Sequence, residues 1–120
     1  MIAGVGTDLV EIRRVEKACQ RKSFLARVYT EEECRQAGEN ISRLAGNFAV
    51  KEAVTKVFGT GFRGVEPKEI EVLRDTMGKP YVCLHGKAEE IAKAMRISRI
   101  LVSITNTAEY AMAFAVGEGE

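Results

Sequence analysis

Residues 42–58 restrict the fold of this chain more than any other segment, because their pattern predicts a helix with apolar side chains all round its axis. Between residues 44 and 58, nine positions are apolar: Leu44, Ala45, Phe48, Ala49, Val50, Ala53, Val54, Val57 and Phe58. At about 100° per residue these side chains surround the axis almost completely, which is typical of a buried helix. Gly59-Thr60-Gly61 follows and predicts where the helix ends.

The rest of the chain predicts strands and shorter helices around this segment. The predicted elements are a strand at 2–6, a helix at about 9–21, a helix starting at Thr30, strands at 69–73 and 81–84, a helix at 88–95, and strands at 100–104 and 111–116. Thr30 is the expected N-cap of its helix, with Glu33 completing a capping box. The order of elements indicates an α+β fold, a mainly antiparallel sheet packed with helices.

The composition limits the number of domains and the classes of partner. A chain of 120 residues is long enough for one domain with a core, so residues 1–120 are expected to form a single domain. The net charge of +1 gives no general attraction to nucleic acid or to a membrane surface. Three cysteines without metal-site spacing, no secretory signal and no transmembrane segment predict a cytoplasmic protein with reduced thiols.

Two carboxylates, Asp8 and Glu52, stand in apolar, glycine-flanked or lysine-flanked segments. Buried charges are costly unless a partner or a metal compensates them, so the pair suggests a divalent cation and a ligand that carries phosphate. Each carboxylate also has a simpler interpretation: Asp8 can be a helix N-cap, and Glu52 can form an ion pair with Lys56 one helical turn away. Gly59-Thr60-Gly61 can likewise be a helix stop or a backbone nest for an anion.

Several segments, taken in order, resemble one family over nearly the whole chain. They are Gly4–Ile12, Phe24–Glu33, Leu44–Ala53, Gly59–Gly61, Ile70–Val72 with Gly78–Pro80, and Val102–Thr105. The set is similar to the holo-[acyl-carrier-protein] synthases, the short branch of the 4′-phosphopantetheinyl transferases. The resemblance implies transfer of 4′-phosphopantetheine from coenzyme A to a serine of apo-acyl carrier protein, with release of 3′,5′-ADP, in support of fatty acid biosynthesis. A non-catalytic relative that binds coenzyme A or carrier protein is the alternative.

The same resemblance assigns roles to individual residues. Asp8 and Glu52 match the Mg²⁺ ligands, and Lys56 matches a phosphate-contacting lysine, so these three are the expected catalytic residues. Glu52 is also a candidate for orienting a water or the serine hydroxyl. The residues expected to contact coenzyme A are Lys51, Lys56, Gly59, Gly61, Lys79, Pro80, Ser103 and Asn106.

The resemblance also implies two kinds of protein partner. An acidic carrier protein is expected to dock on the basic helix near the N-terminus, with Arg14 as the main contact and Arg21, Lys22 and Phe24 as further candidates. The exposed positions Arg13 and Lys17 are more simply interpreted as a solvated face. The family assembles as trimers with sites between subunits, so a homotrimer is expected.

Two positions depart from the family pattern. Asn47 stands where the family usually has arginine, and Asn106 where it usually has histidine, both beside the coenzyme A phosphates. Neutral amides make weaker hydrogen bonds to phosphate than cations do, so we expect lower affinity for coenzyme A. Arg43, Lys51 and Lys87 are the candidates for a compensating cation.

Overall fold

Five helices, five strands and one short 3-10 turn make up the protein, of which the computed structural model describes all 120 residues. In chain order they are β1 (Ile2–Glu11), α1 (Ile12–Cys19), α2 (Lys22–Val28), α3 (Glu31–Ala37), α4 (Ile41–Phe58), the 3-10 turn (Pro67–Glu69), β2 (Ile70–Arg74), β3 (Pro80–Leu84), α5 (Gly86–Ala94), β4 (Ile97–Asn106) and β5 (Tyr110–Gly119). None of the helices has the length and apolar character needed to cross a membrane.

All strand pairing is antiparallel, which confirms the predicted α+β class. Strands β1, β5 and β4 form a three-stranded sheet in that order, and β2 and β3 form a separate hairpin. In the larger sheet Asp8 is paired with Ala113, and Ala113 with Ile104. These three residues therefore lie in one row across the sheet, on the face that packs against α4.

Helix α4 is the centre of the core, as its apolar pattern predicts. It begins after Asn40, whose side chain accepts a hydrogen bond from the Arg43 amide, and it ends at Gly59 in the left-handed conformation (φ 77°). Glycines in β1 let the helix come unusually close to the sheet. A Cβ at Gly6 would lie 2.0 Å from the carbonyl oxygen of Ala53, so no larger residue fits there. This contact fixes the distance between α4 and the strand that carries Asp8.

The predicted boundary between the first strand and the first helix is wrong. Strand β1 continues to Glu11, paired with β5 as far as Tyr110, and α1 begins only at Ile12. The helical spacing that starts at Leu9 is overridden because ten residues of β5 are available for pairing, and Leu9 stays 61% exposed on the outer face of the sheet. Asp8 is therefore a strand residue and not an N-cap. Helix α2 was not predicted at all.

The capping box and the β2–β3 hairpin are confirmed. The Thr30 hydroxyl accepts a hydrogen bond from the Glu33 amide, and the Glu33 carboxylate accepts one from the Thr30 amide. Asp75 closes the hairpin turn, since its Oδ1 accepts hydrogen bonds from the amides of Met77 and Lys79.

Candidate active site

Three of the predicted site residues meet where β1 passes the C-terminal half of α4. The Lys56 ammonium donates to the carbonyl oxygen of Thr7 at 2.8 Å and lies 3.4 Å from Oδ1 of Asp8. Glu52 is one helical turn before Lys56 and is close enough to Asp8 for the Asp8 charge to affect its pKa. The Lys56 side chain is 53% exposed, whereas that of Asp8 is only 16% exposed. The cluster thus combines two half-buried carboxylates with one accessible cation.

The electrostatics of this cluster favour the binding of a further positive charge. Burial raises the pKa of Asp8, and Lys56 only partly offsets this effect. Burial also raises the pKa of Glu52, and the negative charge of Asp8 raises it further. No third histidine, cysteine or carboxylate joins the pair. Two carboxylates with room for phosphate and water oxygens are the protein donors that Mg²⁺ commonly uses, so the residues present fit this ion.

Lys51 is not in the site, and its prediction as a coenzyme A contact needs correction. Its side chain is 0% exposed and its ammonium donates to Oε1 of Glu33 at 2.9 Å and to the carbonyl oxygens of Pro67 and Ile70. An ammonium has three donors, and all three are used inside the protein. Lys51 and Glu52 are adjacent but about 100° apart around the helix, so one faces the core and the other faces β1.

Gly59 serves as a helix stop and not as an anion donor. Its amide donates to the carbonyl oxygens of Thr55 and Lys56, and the amide of Thr60 also donates to Thr55. Neither amide is left for a phosphate. Gly61 is exposed, with φ 61°, and makes no such capping bond.

The remaining predicted coenzyme A contacts lie away from the carboxylates of their own chain. Lys79 is exposed in the β2–β3 turn, and Pro80 begins β3 opposite Arg74. Ser103 lies on the outer face of the three-stranded sheet, because the alternate residue Ile104 contacts α4 at Gly46. Asn106 ends β4 and is exposed. One chain therefore brings together Asp8, Glu52 and Lys56 but not the other predicted contacts.

Comparison with known proteins identifies the family. The 4′-phosphopantetheinyl transferase superfamily matches this sequence over residues 4–115. The chain belongs to this superfamily. It is 58% identical over 118 residues to the holo-[acyl-carrier-protein] synthase of Lachnoclostridium phytofermentans, covering 98% of this chain and 97% of that protein.

Solved structures of the family have the same fold. The holo-[acyl-carrier-protein] synthase of Neisseria meningitidis superimposes with a TM-score of 0.87 at 36% identity, covering 98% of this chain and 99% of that one. The holo-(acyl-carrier-protein) synthase of Bacillus anthracis, solved in complex with CoA (3′,5′-ADP), gives a TM-score of 0.82 at 33% identity, over 100% and 99% of the two chains. The predicted resemblance is confirmed.

The residues predicted to contact a carrier protein are spread over three surfaces of this phosphopantetheinyl transferase. Arg14 and Phe24 line one apolar groove of about 280 Å³, together with Leu9, Val15 and Phe48. Phe24 packs edge-on against Tyr29, with ring centroids 6.3 Å apart. Arg21 shares an adjoining polar surface with Arg14, whereas Lys22 lies on a different groove beside Thr30.

Arg74 is a further candidate residue that no sequence pattern singles out. It ends β2, and its guanidinium donates from Nη2 to Oδ1 of Asn47 at 3.0 Å. Asn47 is buried and also donates its amide to the carbonyl oxygen of Val72. An arginine at the end of a strand is common in sequences, and only its tertiary contact with Asn47 identifies it as a candidate.

Proposed function

We propose that this chain is an active holo-[acyl-carrier-protein] synthase. It transfers the 4′-phosphopantetheine arm of coenzyme A to a serine of apo-acyl carrier protein, giving holo-acyl carrier protein and 3′,5′-ADP, in support of fatty acid biosynthesis. The observation that carries the proposal is the cluster of Asp8, Glu52 and Lys56, which unites two carboxylates and an accessible ammonium in a member of this superfamily. We take residues 1–120 as one catalytic domain.

Asp8 and Glu52 are the residues that would hold Mg²⁺. Each carboxylate has its pKa raised by burial, and the two repel each other, so a divalent cation is the partner that relieves both costs. When bound, Mg²⁺ neutralises charge on the pyrophosphate of coenzyme A and on the leaving phosphate.

Lys56 and Glu52 are assigned the contacts with the reacting groups. The Lys56 ammonium uses one strong hydrogen bond, to Thr7, to fix its position, and its exposed side presents a positive charge to a phosphate oxygen. Glu52 borders the same space and orients the attacking serine hydroxyl or a water beside it.

An acidic carrier protein is the proposed macromolecular substrate, and it docks on α1 and α2. Six basic residues lie between positions 13 and 27, and none of them forms a salt bridge within the chain: Arg13, Arg14, Lys17, Arg21, Lys22 and Arg27. Arg14 stands at the edge of the apolar groove that contains Phe24. A surface that combines uncompensated positive charge with an apolar groove fits an acidic helical partner.

We further propose that three copies assemble through the outer face of the sheet, with each site shared between neighbours. This face exposes large apolar side chains from all three strands: Val5, Leu9, Leu101, Tyr110, Met112 and Phe114. An exposed apolar patch of this kind favours a protein interface. Ser103 lies on the same face, so assembly would bring it to a site of another copy.

The three unpaired cysteines suit a reducing compartment, and we assign the enzyme to the cytoplasm.

The decisive experiment is a mass spectrum of apo-acyl carrier protein after incubation with this protein, coenzyme A and Mg²⁺. We expect a mass gain of one phosphopantetheine that requires all three components. Glu52→Gln should abolish the gain while the melting temperature stays near that of the wild type. Glu90→Gln, an exposed position on α5, is the matched control and should transfer normally. Coenzyme A binding without any mass gain would instead identify a non-catalytic relative.

A further inference from the structure

The guanidinium group of Arg74 is held firmly at a position where nothing in the protein balances its charge. Gln36 fixes the backbone of Arg74 on both sides, since its side-chain oxygen accepts from the Arg74 amide at 2.9 Å and its nitrogen donates to the Arg74 carbonyl at 3.2 Å. Asn47 then fixes the guanidinium through Nη2. An arginine that is restrained at both ends loses little entropy when it binds a ligand.

Most of the hydrogen-bonding capacity of Arg74 is unused. A guanidinium has five N–H donors, and only the bond to Asn47 engages one of them within the chain. Its Nε is the one buried side-chain nitrogen or oxygen in the molecule that has no hydrogen-bond partner. No carboxylate lies within salt-bridge distance of this half-buried cation. Buried or half-buried cations are normally paired, so this guanidinium is a suitable partner for an anionic ligand.

A second cation, Arg43, reinforces the positive charge. It is also half-buried and forms no salt bridge. Burial lowers the pKa of Arg74, and the charge of Arg43 lowers it further, so the two guanidinium groups are close enough to repel each other. Two neighbouring arginines without a carboxylate match a dianion with several acceptor oxygens, such as a phosphate monoester.

The position of Arg74 connects the scattered residues that were expected to contact coenzyme A. A Cβ at Gly46 would lie 3.7 Å from Nη2 of Arg74 and 3.1 Å from Cγ2 of Ile104, so the guanidinium lies over α4 and beside β4. Asn106 is two residues further along that strand. In the other direction, Arg74 is the pairing partner of Pro80 and stands at the base of the turn that carries Lys79.

We infer that Arg74 and Arg43 bind the 3′-phosphate of coenzyme A, a phosphate monoester remote from the reacting pyrophosphate. This inference rests on the proposed function and assigns further residues to the coenzyme A site. Asn47 contacts β2, whereas Glu52 lies beside β1, on a different side of α4. The two arginines therefore serve a different part of the ligand from Asp8, Glu52 and Lys56. Arg74 of β2 thus supplies the positive charge that Asn47 lacks, and Asn47 holds the Arg74 guanidinium in place.

Calorimetric titration of coenzyme A and of dephospho-coenzyme A, which lacks the 3′-phosphate, tests the inference without requiring transfer. Arg74→Gln should weaken coenzyme A binding by about tenfold or more, as expected for the loss of charge-assisted hydrogen bonds. It should leave dephospho-coenzyme A binding unchanged. Arg43→Gln, which leaves the Asn47 contact intact, should give the same selective loss even if Arg74→Gln folds poorly. Arg35→Gln is the control, since it makes the same change of charge on exposed α3.

Each other outcome overturns the inference. Equal losses for the two ligands would place the arginines at the pyrophosphate, and unchanged affinity for coenzyme A in both variants would show that they bind no phosphate. A wild-type chain that binds coenzyme A but modifies no carrier protein would refute the proposed function while this comparison of ligands remained valid. A wild-type chain that binds neither ligand would overturn both proposals.

Discussion

Lys51 and Glu52 are neighbours in the sequence, but their side chains enter opposite environments. The Lys51 ammonium lies in the core, where Glu33 and two carbonyl oxygens surround it, and Glu52 faces the space beside Asp8. Lys51 thereby ties α4 to α3 and to the segment that leads into β2. This anchor opposes rotation of α4 about its axis and so helps to keep Glu52 directed towards β1.

Lys51→Met should therefore destabilise the protein strongly. The substitution leaves the Glu33 carboxylate buried without its cation, and breaking a buried pair from one side costs about 3–5 kcal/mol. Urea denaturation measures the loss. Lys87→Met makes the same change at an exposed position and should cost little. If the two variants were equally stable, the buried ion pair would have no structural importance.

At the scale of single elements, the sequence correctly predicts the helices and strands that are determined by their own local residues. The buried helix α4, the capping box of α3 and the β2–β3 hairpin depend on local spacing, capping and turn residues, and all three are confirmed. The end of β1 depends on β5, which is about a hundred residues away, and local periodicity at Leu9 pointed to a helix instead.

The residues of the candidate site likewise include some that the sequence predicts and some that it does not. Asp8 and Glu52 could be selected from the sequence because charges in apolar segments require an explanation, and Lys56 could be selected through the family resemblance. The inward position of Lys51 and the contact between Arg74 and Asn47 could not, since each depends on residues far apart in the chain. The residues of a tertiary contact carry no local pattern that marks them.

The packing of α4 on β1 makes Gly6 a sensitive position. A methyl group at Gly6 would overlap the carbonyl of Ala53, so Gly6→Ala must push α4 away from the strand that carries Asp8. Overpacking of this kind typically costs about 1–3 kcal/mol or more. We expect a lower melting temperature and weaker transfer even at temperatures where the variant is folded. A Gly6→Ala variant with wild-type melting temperature and wild-type transfer would show that the close approach is not required.

Helix α1 allows the docking of the carrier protein to be separated from general charge attraction. Arg14→Glu should raise KM for carrier protein strongly and leave KM for coenzyme A nearly unchanged, because Arg14 borders the apolar groove with Phe24. Arg13→Glu makes an identical change of charge on the adjacent exposed position and should have a much smaller effect. Steady-state kinetics at two salt concentrations measure both, since salt screens exposed charge pairs. Equal effects of the two variants on KM would show that docking depends on net charge and not on the position of Arg14.

For the whole molecule, the important feature is that Asp8 and Ser103 lie on opposite faces of the same sheet. Asp8 faces α4, and Ser103 is exposed on the outer face beside Phe114. A ligand cannot pass through a hydrogen-bonded sheet. If coenzyme A touches residues of both kinds without passing round an edge of the sheet, they come from different copies, and a single chain would be an incomplete enzyme.

Phe114→Lys should separate the copies and inactivate the enzyme without unfolding it. Phe114 is 39% exposed at the middle of the central strand, so a lysine there places a charge within the proposed interface while its stem still covers the sheet. Light scattering after gel filtration should show the wild type at three times the 13.2 kDa of one chain and the variant at one times that mass. Ala94→Lys makes an apolar-to-lysine change at an exposed position at the end of α5 and should remain assembled and active. The monomeric variant keeps Asp8, Glu52 and Lys56, so its loss should appear mainly as weaker binding of coenzyme A. A monomer with wild-type affinity and turnover would show that each chain holds a complete site.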